Sequence, residues 1–194
     1  MASHPDMLHA VSCDESLAVA VETAERVGRV DRELADLASL VGDELGLDAR
    51  QLRELRLVAL VHDFGKQAIP PALLAKTEPL TPVEWAVMQR HALIGQRILE
   101  RVPYPARAVA AFGAIRERWD GGGYPRGLAG AEIPLSARVV AVCVAYAAMR
   151  RGGRGRPPVD HDDALAELDC AAGSQFDPDV SRAAIVALRR GDLS

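Results

Sequence analysis

The chain has 194 residues, 49% hydrophobic and 26% charged, with a formal net charge of −4. That length suits one globular domain, large enough to bury a core without a disulfide or structural metal. The mild negative charge argues against nucleic-acid polymers and anionic membranes as partners. Cys13, Cys143 and Cys170 lie far apart with no C-x-x-C spacing, which reads as reduced thiols rather than a disulfide framework or zinc cluster.

The opening MASHPDMLHAVSCDES lacks a basic n-region and an apolar core, and no run approaches the roughly 20 apolar residues a membrane helix needs. The expectation is a cytoplasmic protein, with residues 1–14 a mobile N-terminal segment and 15–194 a single domain. Apolar spacing is helical nearly throughout. The stretch SLAVAVETAERVGRVDRELADLASLVGDELGL predicts one or two amphipathic helices ending near Gly46. Asp48 is placed to cap the next helix, in which Leu52, Leu55, Leu57, Val58, Leu60 and Val61 cluster at helical spacing, and Gly65 is expected to mark its end. In LTPVEWAVMQRHALIGQRILERV, Thr81 is the N-cap, Pro82 fits the first helical position and Glu84 completes a capping box.

YPARAVAAFGAIRERW predicts a helix that runs into IRERWDGGGYPRGLAG, a loop whose glycines and proline suit neither helix nor sheet interior. Pro134 opens the very apolar LSARVVAVCVAYAAMR, expected at the centre of the core. RGGRGRPPVD reads as a flexible basic loop, and one of Asp160, Asp162 or Asp163 caps the short helix that follows. Asp177 and Pro178 start the last helix, which Gly191 terminates. The fold expected is an all-α bundle of about seven helices, with the glycine-rich loop as its largest irregular feature.

Certain side chains carry chemistry. His62 and Asp63 are adjacent, an imidazole and a carboxylate suited to a divalent metal, and Lys66 follows four residues after His62, on the same side if the segment is helical. His91 shares a helical face with Trp85, Met88, Gly95 and Ile98, and reads either as a ligand or as a core histidine satisfied by one hydrogen bond. His161 sits among acids that could hold a metal or simply cap a helix. The four arginines of RRGGRGRPP could meet an anionic partner or only water, and His4 and His9 fall in the terminal segment.

LVHDFGKQAIPPALLAKTEPLTPVEWAVMQRHALIGQRIL, ERWDGGGYPRGLAGAEIPLSARVVAV and AAGSQFDPDV together resemble the HD-GYP family of the HD superfamily, over roughly residues 20–190. The resemblance rests on HD-x-GK, the capped LTP-x-E helix, a histidine followed by glycine, WDG-x-GYP-x-GL, IPL-x-AR and QFDP in this order. It implies a helical bundle and hydrolysis of cyclic di-GMP at a two- or three-metal iron or manganese centre. By position it makes His62, Asp63 and His91 metal ligands and Lys66 the catalytic lysine. Tyr124, Pro125 and Arg126 become part of the wall around a bound dinucleotide, and Asp120 and Gly123 loop formers. It also implies contacts of the loop with diguanylate cyclase domains.

The departures from the family pattern are specific. Ile115 and Arg116 stand where the family carries a histidine pair, Val144 where it carries an aspartate, Ala147 in place of a second acid, and about Val30 where it has an upstream histidine. Manganese or iron wants about six nitrogen or oxygen donors, and His62, Asp63 and His91 supply three. The expectation is therefore a degenerate member that holds no metal or one weakly bound divalent ion and acts by binding a nucleotide or a protein partner, with Lys66, Arg116, Tyr124, Pro125 and Arg126 as the binding set. Arg116 is expected either to pair with Asp63 in place of the lost cation or to point to solvent. The alternative is an active phosphodiesterase whose metal site is rebuilt from Glu117, Asp120 or Glu22. A further reading is an empty scaffold, and a partly exposed apolar helix would allow a homodimer.

Overall fold

The computed structural model describes Glu22 and residues 31–102, 104–153 and 156–191. The expected mobile segment 1–14 and the position near Val30 lie outside the described residues. Within them the chain is all-α: α1 Arg32–Glu44, α2 Ala49–Leu60, α3 Pro71–Leu74, α4 Pro82–Leu99, α5 Ala106–Phe112, α6 Leu135–Arg151, α7 His161–Cys170 and α8 Pro178–Gly191. Short 3₁₀ turns occupy Phe64–Ala68 and Gly130–Glu132. The element beyond the expected bundle is α3, a single turn after Pro70. No described helix is long and apolar enough to cross a membrane.

The start signals work as read. Asp48 accepts the Gln51 N–H while Gln51 reaches back to the Asp48 N–H. Thr81 and Glu84 do the same for α4, and Lys76 adds an ion pair to Glu84 at 2.7 Å. Of the three acids before α7, Asp160 makes the cap. Asp177 accepts the Asp179 N–H at 2.8 Å at the head of α8. Each such cap stabilises its helix by about 1 kcal/mol. The basic loop is closed at its described ends by the Gly153 N–H on the Arg156 carbonyl and the Val159 N–H on the Met149 carbonyl.

Helices α2 and α6 form the centre, where Leu55, Leu57, Val58, Val139, Val140 and Val142 are fully buried. Helix α1 packs across both and also meets α8. Cys143 is buried in this core, which pushes its thiol up to about 12, and Cys170 is exposed; both are free. Tyr104 ties α5 to α2 by donating its hydroxyl to the Leu57 carbonyl at 2.8 Å.

Two expected boundaries shift. Helix α2 ends at Leu60 rather than Gly65, and Gly65 lies inside the 3₁₀ turn that follows. The physical reason is tertiary: a Cβ on Gly65 would sit 1.9 Å from the His91 carbonyl oxygen, so this glycine lets the 62–66 segment press against α4. The helix expected through Trp119 stops at Phe112, and the chain turns at 113–116 before the glycine-rich loop.

Candidate functional site

Because α2 ends early, Lys66 does not lie one helical turn above His62. Its ammonium folds back onto Asp63, with Nζ 2.6 Å from Oδ2. On the other carboxylate oxygen, Arg116 Nη2 donates to Oδ1 at 3.1 Å, across 53 positions of sequence. The ion pair with Asp63 expected as one of two fates for Arg116 is thus formed. His62 Nε2 lies 3.5 Å from Oδ2. Burial pushes the Asp63 carboxyl upward, but the His62 ring and then the Lys66 ammonium outweigh it and hold the group well below the usual carboxylate range. Asp63 is ionised, and Lys66 and Arg116 together leave the cluster with one surplus positive charge.

Both buried histidines are oriented by backbone. His62 Nδ1 donates to the Ala59 carbonyl at 2.9 Å and His91 Nδ1 to the Met88 carbonyl at 2.7 Å. His91 is 3% exposed and its pKa is lowered, by burial first, and also by the charges of Arg116 and Lys66, against the Met88 carbonyl and Asp63. Its expected face is only partly inside: Met88 and Gly95 are buried with it, whereas Trp85 and Ile98 are exposed. The Tyr124 ring stands edge-on to both Trp85 and His91, at centroid distances of 6.0 and 6.4 Å, and burial raises its pKa.

The glycine-rich loop owes its shape to Glu117. This side chain is 5% exposed and accepts three backbone N–H groups, from Arg126 at 2.7 Å, Gly127 at 3.1 Å and Leu128 at 3.2 Å. Gly123 packs so closely on this segment that a Cβ would lie 2.3 Å from the Arg118 nitrogen. The Tyr124 N–H donates to the Arg116 carbonyl, and the Tyr124–Pro125 peptide is cis. The Trp119 and Asp120 N–H groups donate to the carbonyls of Gln175 and Ser174. Arg138 joins the remaining motifs: it donates to the Ile133 carbonyl and to Asp177, and its guanidinium lies 5.7 Å over the Trp119 ring. Arg126 is exposed and donates to Gln96 Oε1 at 2.6 Å, and Pro125 is half-buried beside it.

The fold therefore gathers His62, Asp63, Lys66, His91, Arg116 and Tyr124, with Arg126 held on Gln96, about one helical turn along α4 from His91. The His91 Nε2 suits a divalent metal, since a histidine ligand commonly donates its other nitrogen to a carbonyl, whereas the His62 Nε2 faces the Asp63 carboxylate. Asp63 does not suit one, because both of its oxygens are taken by cations. Among the described residues no group of three or more His, Cys, Asp or Glu converges to hold a metal, so the described donors do not by themselves make up a transition-metal centre. Ile115 is 3% exposed within the core, and Val144 and Ala147 pack against it. Asp120 is turned to Arg118 and the Gly122 N–H, and Glu22 is exposed. His161 begins α7 with Nδ1 2.9 Å from the Tyr146 hydroxyl.

The sequence profile of the family described as HD domain matches residues 16–180. The chain is 37% identical over 149 residues to a cyclic di-GMP phosphodiesterase of Thermotoga maritima, which covers 76% of this chain and 40% of the relative. It is 40% identical over 147 residues to the cyclic di-GMP phosphodiesterase response regulator RpfG of Xanthomonas campestris, covering 75% of this chain and 39% of that one. Bd1817, an HDG"Y"P protein of Bdellovibrio bacteriovorus, superposes with a TM-score of 0.66 at 20% identity, over 80% of this chain and 50% of that one. With the HD motif, the glycine loop and the bundle in place, the chain belongs to the HD domain family, in its HD-GYP group. It spans about two fifths of the length of the two curated relatives.

Sequence reasoning did not find the work of Glu117, Gln96 or Arg138. Each acts on a segment distant in sequence, and no spacing rule joins them. The one available signal was Glu117 itself, an acid between two arginines entering a glycine-rich turn.

Proposed function

We propose that this chain is a signalling domain that binds a cyclic dinucleotide such as cyclic di-GMP and does not hydrolyse it. The observation that carries this reading is the state of Asp63, whose two oxygens are engaged by Lys66 and Arg116 rather than open to a metal. Hydrolysis of a phosphodiester by metals requires an ion to acidify the attacking water and to hold the phosphoryl oxygens. Lys66 and Arg116 attract phosphate but do not activate water. The surplus positive charge beside the Tyr124 ring suits a phosphate flanked by a base, and guanidinium binds phosphate well. Rebuilding the metal site from Glu117 or Asp120 would require dismantling the loop those acids hold. With respect to metal, the iron or manganese implied by the family finds no complete donor set among the described residues.

The test is one sample divided in two. Equilibrium titration with cyclic di-GMP is expected to saturate, with Lys66→Ala weakening binding about tenfold, the scale of one charge-assisted hydrogen bond. Chromatography after incubation with manganese or iron is expected to show intact cyclic di-GMP. Appearance of linear or mononucleotide product would return the chain to the active phosphodiesterases. A flat titration with no product would leave a protein partner, such as a diguanylate cyclase, as the ligand.

A further inference from the structure

Arg116 is unusually well placed to act as a fixed charge. The residue before it, Ile115, is anchored in the core at 3% exposure, and the residue after it, Glu117, is locked by three amide hydrogen bonds. Its own carbonyl accepts the Tyr124 N–H at 3.1 Å. The backbone at 115–117 is therefore held on both sides, and the guanidinium projects to Asp63 Oδ1 with both partners about three-quarters buried, at 22% and 25% side-chain exposure. A guanidinium keeps its proton at any pH a folded protein survives, so this charge is permanent.

We infer that Arg116 is a tethered counter-cation: it occupies, on the chain itself, the electrostatic place beside Asp63 that a divalent ion would take, so that the domain is complete without metal and resists binding one. An ionised carboxylate three-quarters withdrawn from water is costly unless it is paired or hydrogen-bonded, and Arg116 pairs this one while bridging the 62–66 segment to the start of the glycine loop. A metal ion approaching Asp63 meets two positive charges already in contact with its oxygens, and must displace at least one of them to coordinate. The role of Arg116 does not depend on what the cleft binds.

The experiment is thermal unfolding of the chelator-treated protein, with and without added Mn²⁺. The wild-type midpoint is expected to stay fixed on addition of Mn²⁺ or of fresh chelator. Arg116→Ala is expected to lower the midpoint by roughly 3–6 °C in the absence of metal, because Asp63 loses a partner at a site only partly screened by water. Mn²⁺ in about tenfold excess over its dissociation constant is then expected to return roughly 2–4 °C of that loss. Three results would each overturn the inference: a wild-type midpoint that moves with metal, an Arg116→Ala protein as stable as wild type, or an Arg116→Ala midpoint indifferent to Mn²⁺. Should Arg116→Ala not fold, the double variant Asp63→Asn with Arg116→Ala decides, since it removes both charges. It is expected to fold and to melt closer to wild type, and a double variant that does not fold contradicts the role.

Discussion

Glu117 and Asp63 are both carboxylates withdrawn from water, and their surroundings satisfy them in opposite ways. Glu117 accepts neutral N–H groups from three consecutive residues of the loop, Arg126, Gly127 and Leu128. Asp63 is held by charged side chains from two separate places, Lys66 three residues on and Arg116, which follows α4 and α5 along the chain. The first arrangement is geometric and shielded. The second is electrostatic and a quarter open to solvent. The difference separates the glycine-rich motif, held by neutral backbone donors, from the HD pair, held by side-chain charge. The loop's conformation depends on Glu117, Gly123 and the 174–175 carbonyls, none of which needs a metal. A retained motif can therefore report architecture rather than chemistry.

The sharpest way to break this contrast is Glu117→Ala. It would leave three backbone donors without their acceptor, and a loss of about 3–5 kcal/mol is expected from urea denaturation. The loss should be nearly the same at 50 and 500 mM NaCl, whereas the effect of Arg116→Ala should shrink over that range as the open side of its ion pair is screened. A salt-sensitive Glu117→Ala, or one that loses under 1 kcal/mol, would erase the distinction between the two carboxylates.

Next in size is Gly65→Ala, which tests how the two regions are brought together. The new methyl would meet the His91 carbonyl, a backbone atom with little room to retreat. Overpacking of this kind costs about 1–3 kcal/mol, and the His91 ring resonances should shift because the 62–66 segment lifts from α4. Wild-type stability and an unchanged His91 spectrum would mean that the close approach does not hold the site together.

The bundle was legible because its helix starts are written locally. Thr81 and Glu84, Asp48, Asp160 and Asp177 each act within three residues, and the apolar run of α6 could pack only as a core helix. The site was half legible. The choice for Arg116 between Asp63 and solvent can be posed from sequence, since a permanent cation stands where the family pattern has a histidine, but only folding brings residues 53 apart within 3.1 Å. The end of α2 is not legible from Gly65, which has the form of a helix terminator but is required by a carbonyl 26 residues later on α4. Glu117 has the form of a spare ligand for the same reason: its partners lie nine to eleven residues ahead and offer only backbone.

Asp120 provides the finest test, because it combines the two modes at the surface of the loop. One partner is a cation, Arg118, at 2.7 Å, and the other is the Gly122 N–H at 2.9 Å. The Arg118 hydrogen bond foremost, and then the Gly122 amide, lower its pKa from 3.8 to about 2. Since the folded state favours the ionised form, the contribution of Asp120 is fully present above pH 3.8 and fades as the pH falls toward 2. The carboxyl carbon of Asp120, followed by NMR, should titrate near 2 in the wild type and move toward its ordinary value in Arg118→Ala, with the Gly122 amide retaining part of the depression. Asp120→Asn should lower the thermal midpoint slightly at pH 5 and by less at the acid end of that window. A midpoint for Asp120 at its ordinary value in the wild type would mean that the Arg118 contact is not held in solution.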